Sequence, residues 1–307
     1  MSMLIRNLAV LAKREVTYGT DAAPAVADAI QLANVKFTPI AGTDVQRNLV
    51  TPYLGNQGVS LTGNYQQIEF DVEMGGSGTA GTPPPYGGLL RATAMSETVV
   101  ETTSVEYESV SSSFDAASLY YFLDGTKYVM LGCRGKKTID VSAQKKPILH
   151  FTLSGMMGTF TDTALPAADY SAWNEPLIVS KAATQFSFAG VEAPMTSLNI
   201  DDGQTVTPRF LVNYEAIEVT DRSMTGTLVI DQNLKAVKDW RQTAIDEAAL
   251  TLAVTHGLVA GNTFALAAAG VRVGRLTHGD SGGVANYSLP LNFMPVDGND
   301  ELTLTFT

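Results

Sequence analysis

The sequence predicts a mainly β protein made of two tandem β-sandwich or barrel domains, each with one flanking α-helix and long loops. The first observation is hydrophobic alternation with a period of two, clearest in YQQIEFDVE at residues 65–73. There Ile68, Phe70 and Val72 fall on one face and polar residues on the other. The second is length, because 307 residues suffice for two domains with separate cores. The third is a similar order of predicted elements in the two halves.

Alternation predicts further strands with one buried and one exposed face. They cover residues 33–40, 104–110, 147–156, 210–219, 224–230, 286–294 and 301–307.

Helical spacing predicts one long helix in the second half and a shorter one in the first. The long helix covers residues 234–249 behind a capping Asn233, and the short one covers residues 86–95. The apolar stripe of the long helix consists of Leu234, Val237, Trp240, Ala244, Ile245 and Ala248.

The remaining segments are predicted to be loops and a linker. Residues 74–88, MGGSGTAGTPPPYGG, are rich in Gly and Pro and predict a long exposed loop, and residues 41–64 predict another. Residues 164–176 lack periodicity and predict the linker between domains 1–163 and 177–307.

The two halves align without gaps near their ends, which suggests an internal duplication. Residues 131–156 lie on 269–294, so that Arg134 meets Arg272 and Gly132 meets Gly270. Further back, the predicted turn at Asp124-Gly125 has a counterpart at His256-Gly257, after which the second half carries about six extra residues.

Composition narrows the function classes. The formal charge is −11, with 20 basic and 31 acidic side chains, which argues against adhesion to nucleic acid through phosphate neutralisation. The single cysteine, Cys133, excludes an internal disulfide. No stretch approaches the roughly 20 apolar residues of a spanning helix, and the N-terminal segment, interrupted by Arg6 and Asn7, predicts no signal peptide.

The string GDSGG at residues 279–283 matches the surroundings of the nucleophile in chymotrypsin-like proteases. In the alignment of the halves, however, Ser281 falls opposite Ala143, and none of His150, His256 and His278 lies in the sequence setting of a protease base. Gly and Asp also favour tight hairpin turns. We therefore interpret this string as a turn.

Other candidate chemical sites have structural interpretations. DGNDE at 297–301 lacks the length of a calcium loop, and GGSGTAG at 75–81 lacks the Lys-Ser/Thr of a phosphate loop. Paired acids on strands, such as Glu106 and Glu108, are typical of a solvated face. We predict no catalytic residue, cofactor or metal site, and we class the chain as a non-enzyme.

The opening segment carries a family resemblance. Residues 11–40, LAKREVTYGTDAAPAVADAIQLANVKFTPI, resemble the start of tail tube (major tail) proteins of bacteriophages with long, flexible, non-contractile tails, the siphophages. The matching residues are Lys13, Glu15, Tyr18, Gly19 and Thr20.

The resemblance implies a structural virion protein with two tail-tube-like domains. Subunits of the family form rings whose inner hairpins join into a β-barrel around a channel, and the rings stack into the tube that delivers the genome. A duplicated chain then implies a homotrimer with pseudo-sixfold symmetry, synthesised in the host bacterial cytoplasm. The implied partners are further copies of the chain, the tape measure protein, the tail terminator, distal tail or baseplate proteins and, transiently, genome DNA, with no membrane.

An acidic channel wall would repel DNA phosphates and let the genome slide. Glu69, Asp71 and Glu73 are the candidates for this lumen-facing surface. The N-terminal arm at 11–33 and the loops 41–64 and 74–88 are expected to contact neighbouring subunits or the next ring.

Two other function classes remain open at this stage. A carbohydrate- or receptor-binding β module of a phage or bacterial surface would expose aromatic platforms, for which Tyr53, Tyr86, Tyr170 and Trp173 are available. An enzyme built around Ser281 is the other alternative.

Overall fold

Antiparallel strands dominate the computed structural model, which describes residues 3–307 and confirms the mainly β class. Two short α-helices are present in the described part, α1 (Gly87–Ala92) and α2 (Trp240–Ile245), together with a 3-10 turn at Val26–Asp28. The strands are β1 (Leu8–Arg14), β2 (Ala33–Gln46), β3 (Val59–Glu73), β4 (Thr98–Val100), β5 (Ser104–Glu108), β6 (Ala117–Leu123), β7 (Thr126–Ser142), β8 (Ile148–Asp162), β9 (Thr184–Phe188), β10 (Met195–Asp201), β11 (Gln204–Leu211), β12 (Tyr214–Arg222), β13 (Thr225–Asp231), β14 (Leu250–His256), β15 (Phe264–Val273), β16 (Thr277–Ser281), β17 (Val284–Phe293) and β18 (Thr303–Phe306).

One sheet runs through both halves of the chain. Its path is β2-β3-β8-β7-β10-β13-β17-β15-β18-β5-β4, with β16 beside β17 and with the branches β1-β6-β7 and β9-β14-β15. The path repeats a four-strand unit, since β2-β3-β8-β7 is followed by β10-β13-β17 and then β15 and β16. The hairpin β11-β12 forms a separate two-stranded sheet.

Strand register repeats along with strand order. Arg134 on β7 is opposite Ser154 on β8, and Arg272 on β15 is opposite Asn292 on β17. Both pairs obey the gap-free alignment of 131–156 with 269–294. This shared register supports a duplication, while the domain boundaries themselves stay a prediction.

The apolar faces of the strands form one main core that contains residues of both halves, including Phe70, Phe151, Leu228 and Leu289. Phe70 and Phe151 pack at 5.6 Å between ring centroids on paired strands. Among residues 3–307, no helix is both long and apolar enough to cross a membrane.

One strand prediction and one loop prediction need correction. The predicted strand 210–219 is divided by a tight turn in which Asn213 adopts a φ of +65°, and it forms the facing ends of β11 and β12. Half of the predicted loop 41–64 is strand, because β2 continues to Gln46 and β3 begins at Val59. The register shifts between these strands interrupt the alternation that would have revealed them.

The long helix predicted at 234–249 is wrong in extent, whereas the short helix is found within the predicted range 86–95. Leu234 is 79% exposed and Val237 58%, whereas Trp240 is buried in the core, so only the later part of the apolar stripe faces the core. Asn233 does not cap the helix, since its side chain accepts from Trp240 Nε1 at 2.7 Å. Asp239 is the N-cap and accepts from the Gln242 N–H at 2.9 Å. Side-chain hydrogen bonds of Asn233 and Asp239 thus take the place of the first turns of the expected helix.

The segment 74–88 is not the exposed loop that its composition predicts. Gly76 N–H donates to Asn262 Oδ1 at 2.9 Å, and Gly78 N–H donates to the Gly261 carbonyl at 2.8 Å. A Cβ on Gly76 would lie 2.2 Å from the Gly261 oxygen, so glycine is needed for this close approach. The glycines here serve packing between the two halves.

Candidate assembly surfaces

β2 and β16 lie at the outer ends of the two four-strand units, and each has a free edge; β4 and β9, outside these units, also have a single neighbour within residues 3–307. β2 is hydrogen-bonded to β3 and β16 to β17, and no second neighbour of either lies within residues 3–307. All five residues of β16 are exposed. Free edges present unpaired N–H and C=O groups that invite pairing with another chain.

Inside the chain, the equivalent edges are already joined. The junction between β7 and β10, here called the internal seam, pairs Thr138 to Ser142 with Asp201 to Ser197. Next to it, Lys137 and Asp202 form an ion pair at 3.4 Å, and both side chains are only 3% exposed. Burial lowers the pKa of Lys137 and raises that of Asp202, so desolvation opposes both charges and their mutual attraction offsets it.

Glu69, Asp71 and Glu73 lie on one face of β3, opposite the core-facing Ile68, Phe70 and Val72, as alternation predicts. Each is paired locally with a basic or polar group. Glu69 contacts Lys36 Nζ at 3.3 Å, and Glu73 contacts Lys146 Nζ at 2.9 Å. Asp71 contacts His150 Nδ1 at 2.5 Å and accepts from Asn34 Nδ2 at 2.6 Å. The acidic cluster is therefore partly neutralised, which sequence alternation does not reveal.

The face that carries these acids continues across the internal seam. Asp71 is opposite His150, His150 opposite Thr138, and Thr138 opposite Asp201 of the second half. By register, Asp231 occupies the place of Glu73, whereas Val229 and Thr227 occupy the places of Asp71 and Glu69. The second half thus has an acidic residue at only one of the three equivalent positions.

The N-terminal motif forms a compact cluster around a buried carboxylate. Glu15 is 3% exposed. Its Oε1 accepts from Gly132 N–H at 2.7 Å and from Ser118 Oγ at 2.8 Å, and its Oε2 accepts from Gly19 N–H at 2.7 Å. Three donors from β6, β7 and the arm therefore converge on one side chain.

Tyr18 and Arg134 connect this cluster to the second half. Tyr18 Oη accepts from the Ile217 N–H on β12 at 2.6 Å, and burial raises the pKa of its hydroxyl. The Arg134 guanidinium lies 4.4 Å from the Tyr18 ring and donates to the carbonyls of Ile217, Phe114 and Asp115. Arg134 was missed as a positioning residue, although its alignment with Arg272 was a signal in the sequence.

The other motif residues are peripheral. Lys13 is 3.9 Å from Asp28 and half-exposed, and Thr20 closes a turn through its N–H to the Thr17 carbonyl at 3.0 Å. The motif thus divides into an inner set, the buried Glu15 with the half-buried Tyr18 and Gly19, and two residues with surface contacts.

Two hairpin tips expose large apolar side chains. The β2–β3 tip carries Leu49, Val50, Tyr53 and Leu54, with Val50 and Leu54 fully exposed, and the β11–β12 tip carries Leu211, Val212 and Tyr214. The two hairpins pack beside each other, where Phe210 approaches Tyr65 at 6.5 Å between ring centroids. Such clustered apolar exposure marks a surface for protein contact.

Ser281 lies in a hairpin turn, in agreement with the sequence interpretation. It pairs with Val284 across Gly282 and Gly283, whose φ values of +61° and +86° suit a primed turn. His278 packs on Tyr287 at 5.0 Å, and no hydrogen bond within residues 3–307 joins Ser281 to a histidine. His256 is held by Thr184 and the Leu177 carbonyl, and burial lowers its pKa.

The remaining candidate sites are structural. Asp300 accepts from the N–H groups of Val296, Asp297 and Gly298, which makes 297–301 a turn and lowers the pKa of the Asp300 carboxyl. Tyr86 is 1% exposed and packs against Trp173, so these two aromatics do not form a carbohydrate platform. Within residues 3–307, no three His, Cys, Asp or Glu side chains converge as a metal site requires.

A duplicated β-sheet unit with free edges, exposed apolar tips and a buried motif linking its halves defines a structural subunit that assembles. The chain matches the family model described as phage tail tube protein over residues 6–307, which is nearly its whole length. It therefore belongs to the phage tail tube protein family, as the N-terminal resemblance implied, and it is a structural component of the virion tail. A search of curated proteins returned no match.

Proposed function

We propose that three copies of this chain close into a ring, that the rings stack into the tail tube, and that the phage genome passes through the channel. The observation that carries this proposal is the repeated four-strand unit with its two free edges. Because one chain holds two units, three chains supply six, and closure removes the exposed edges of β2 and β16.

Stacking is supported by the two hairpin tips. The two hairpins contact each other where Phe210 packs on Tyr65, and each exposes aliphatic and aromatic side chains at its tip, so that a ring of three chains presents six such tips. Burying them against the next ring provides a hydrophobic driving force. The N-terminal arm 11–33 and segment 47–58 are the proposed contact segments, whereas 74–88 is used for packing within the subunit.

Glu69, Asp71 and Glu73 are proposed to line the channel, with Asp201 and Asp231 continuing the surface into the second half. Their pairing with Lys36, His150 and Lys146 tempers the negative potential. A wall that carries both signs with an acidic excess still disfavours lasting contact with phosphate.

A purely structural role accounts for every motif described above, so we propose that the chain has no catalytic activity. The tape measure protein, the tail terminator and the distal tail or baseplate proteins are proposed as partners at the tube's interior and ends. A siphophage tail, long and non-contractile, is the proposed context.

Negative-stain electron microscopy of the purified chain across a concentration series, with mass measurement of the smallest ring, tests the proposal. Hollow rings or tubes built from three chains are expected. Rings of six chains would overturn the pseudo-sixfold arrangement, and a strictly monomeric particle at high concentration would overturn assembly and favour a binding module.

A further inference from the structure

We propose that the ring closes through one specific strand pairing, in which β16 of one copy adds antiparallel to β2 of a second copy with His278 opposite Phe37. We call this contact the external seam. It rests on the proposed function and deepens it by stating which strands, which register and which side chains join two copies.

The internal seam is the template for this pairing. β7 is followed along the sheet by β10, the first strand of the second unit. β16 takes the place of β7, since each pairs with the aligned strand β17 or β8. β2 takes the place of β10, since each is the outer neighbour of β3 or β13. The edges left free at the outer ends of the two four-strand units are therefore the two whose counterparts the internal seam joins.

The register follows from aligned pairs. In the internal seam Ile139 is opposite Ile200. Ile139 faces Leu149, and the aligned Tyr287 faces His278. The gap-free alignment puts Thr277 on Ile139, but the pairing with β17 shifts by one residue between Val273 and Thr277, so His278 takes the place of Ile139 in the sheet.

On the other strand, Ile200 pairs with Gly226, and Gly226 pairs with Leu291. In the first unit, Phe37 pairs with Ile68, and Ile68 pairs with Leu153, the residue aligned with Leu291. Phe37 therefore takes the place of Ile200. Antiparallel pairing then puts Thr277 opposite Thr38 and Gly279 opposite Lys36. Asn34, with a φ of +52°, limits the regular pairing to residues 36–38.

Arg272 provides a second, independent observation. Its counterpart Arg134 donates to three carbonyls, and one of them, that of Ile217, belongs to the hairpin that extends from the second unit. Arg272 has a buried Nε without a hydrogen-bond partner and one distant contact, at 3.5 Å, from its Nη1 to Glu247. A buried guanidinium nitrogen without an acceptor is costly. The β2–β3 hairpin of the second copy would supply carbonyls where β12 supplies them to Arg134.

Cysteine cross-linking tests the register directly. The double variant Thr38→Cys/Thr277→Cys is oxidised after assembly and analysed on non-reducing gels. Both threonines are polar residues at free edges, and the natural Cys133 is fully buried, so it does not compete. Directly opposed positions approach the Cβ separation of a disulfide, whereas positions displaced by two residues do not.

The matched control is Lys36→Cys/Thr277→Cys, which displaces the pair by two residues. A second control, Thr138→Cys/Asp201→Cys, places the equivalent pair in the internal seam and should cross-link within one chain. We expect at least about tenfold more intermolecular disulfide in Thr38→Cys/Thr277→Cys than in the displaced variant.

The outcomes separate the seam from the proposed function. Rings that form with equal or no cross-linking in the two intermolecular variants would overturn the seam and leave the ring intact. Failure of the unaltered chain to form rings would overturn both. If the cysteine variants do not assemble, amide hydrogen exchange of the unaltered chain decides. Protection that appears at 36–38 and 277–279 on assembly supports the seam, and unchanged exchange there overturns it.

Discussion

Glu15 organises a segment of the N-terminal arm that has no regular secondary structure. Its buried carboxylate accepts from Gly132, Ser118 and Gly19, and these donors come from β7, β6 and the arm itself. Tyr18, three residues on, then reaches Ile217 of the second half. At the scale of single residues, the family motif therefore connects the arm to both halves of the chain.

Replacing Glu15 with Gln tests how much these hydrogen bonds contribute to stability. One acceptor oxygen becomes an NH2 group that faces N–H donors, so at least one buried donor is left unpaired, and we expect unfolding to become easier by about 1–3 kcal/mol. Urea unfolding of the unassembled chain measures the change. Lys13→Gln is the control, since its half-exposed contact with Asp28 is worth less than about 1 kcal/mol. Equal losses in the two variants would contradict the role of Glu15.

The sequence could identify some of these residues and not others. Glu15, Tyr18 and Gly19 were found through a family resemblance, because nothing in their spacing shows that they converge. Gly132, which donates to Glu15, lies 117 residues from it along the chain, and long-range contacts of this kind leave no local pattern. Ser281 was interpreted from local turn chemistry, and that chemistry was sufficient.

At the scale of elements, period-two alternation missed β14, although its burial alternates regularly, but it predicted other strands that have one buried and one solvated face. β3 shows this, since Ile68, Phe70 and Val72 are buried while their neighbours are not. The prediction failed where tertiary contacts override a local pattern. The apolar stripe of 234–249 points to solvent at Leu234 and Val237, and the glycines of 74–88 permit burial against Gly261.

The internal seam offers an element-scale prediction. Lys137→Met leaves the Asp202 carboxyl buried without its cation, and we expect a loss of about 3–5 kcal/mol. Lys137→Met/Asp202→Asn should recover part of that loss, because no buried charge remains, although the single Asn oxygen can accept from only one of the Lys137 and Gln204 N–H groups. Chemical unfolding of both variants, with the exposed neighbour variant Lys136→Met as control, measures the difference.

The pH dependence of the stability of Lys137→Met provides a second test of the buried ion pair. Burial raises the pKa of Asp202, so the folded single variant holds a proton more readily than the unfolded chain. Stability of Lys137→Met should therefore rise as pH falls from 7 into the carboxyl titration range. A loss below about 1 kcal/mol, or no recovery in the double variant, would show that the ion pair does not hold the seam.

At the scale of the whole molecule, the repeated unit explains why the chain is organised as one sheet. The internal seam fixes two units side by side, and the free edges of β2 and β16 make the isolated chain an incomplete structure. Family membership could be predicted from the sequence, and so could the mainly β class. Which edges stay free could not, since edge status depends on which strands pair across a separation of more than 50 residues.

The role of the acidic face, which carries Glu69, Asp71 and Glu73, can be tested only in the assembled tube. Reversing Glu69, Asp71 and Glu73 to Lys removes three carboxylates and frees Lys36, Lys146 and His150 from their partners. If this face lines the channel, tubes of the variant should retain labelled DNA at low salt and release it as salt rises, because phosphate contacts are screened. Co-sedimentation of DNA with tubes, after assembly is verified by electron microscopy, measures retention.

The matched control is Glu101→Lys/Glu192→Lys/Glu215→Lys, which changes the net charge of −11 by the same amount at exposed positions elsewhere. Unaltered tubes and control tubes should retain little DNA. Equal retention by the two variants would mean that net charge, rather than this face, governs contact with DNA. Absence of retention in both would remove Glu69, Asp71 and Glu73 from the channel wall. Only selective retention by the first variant places the acids along the path of the genome, since a local potential acts within about a Debye length of the surface that carries it.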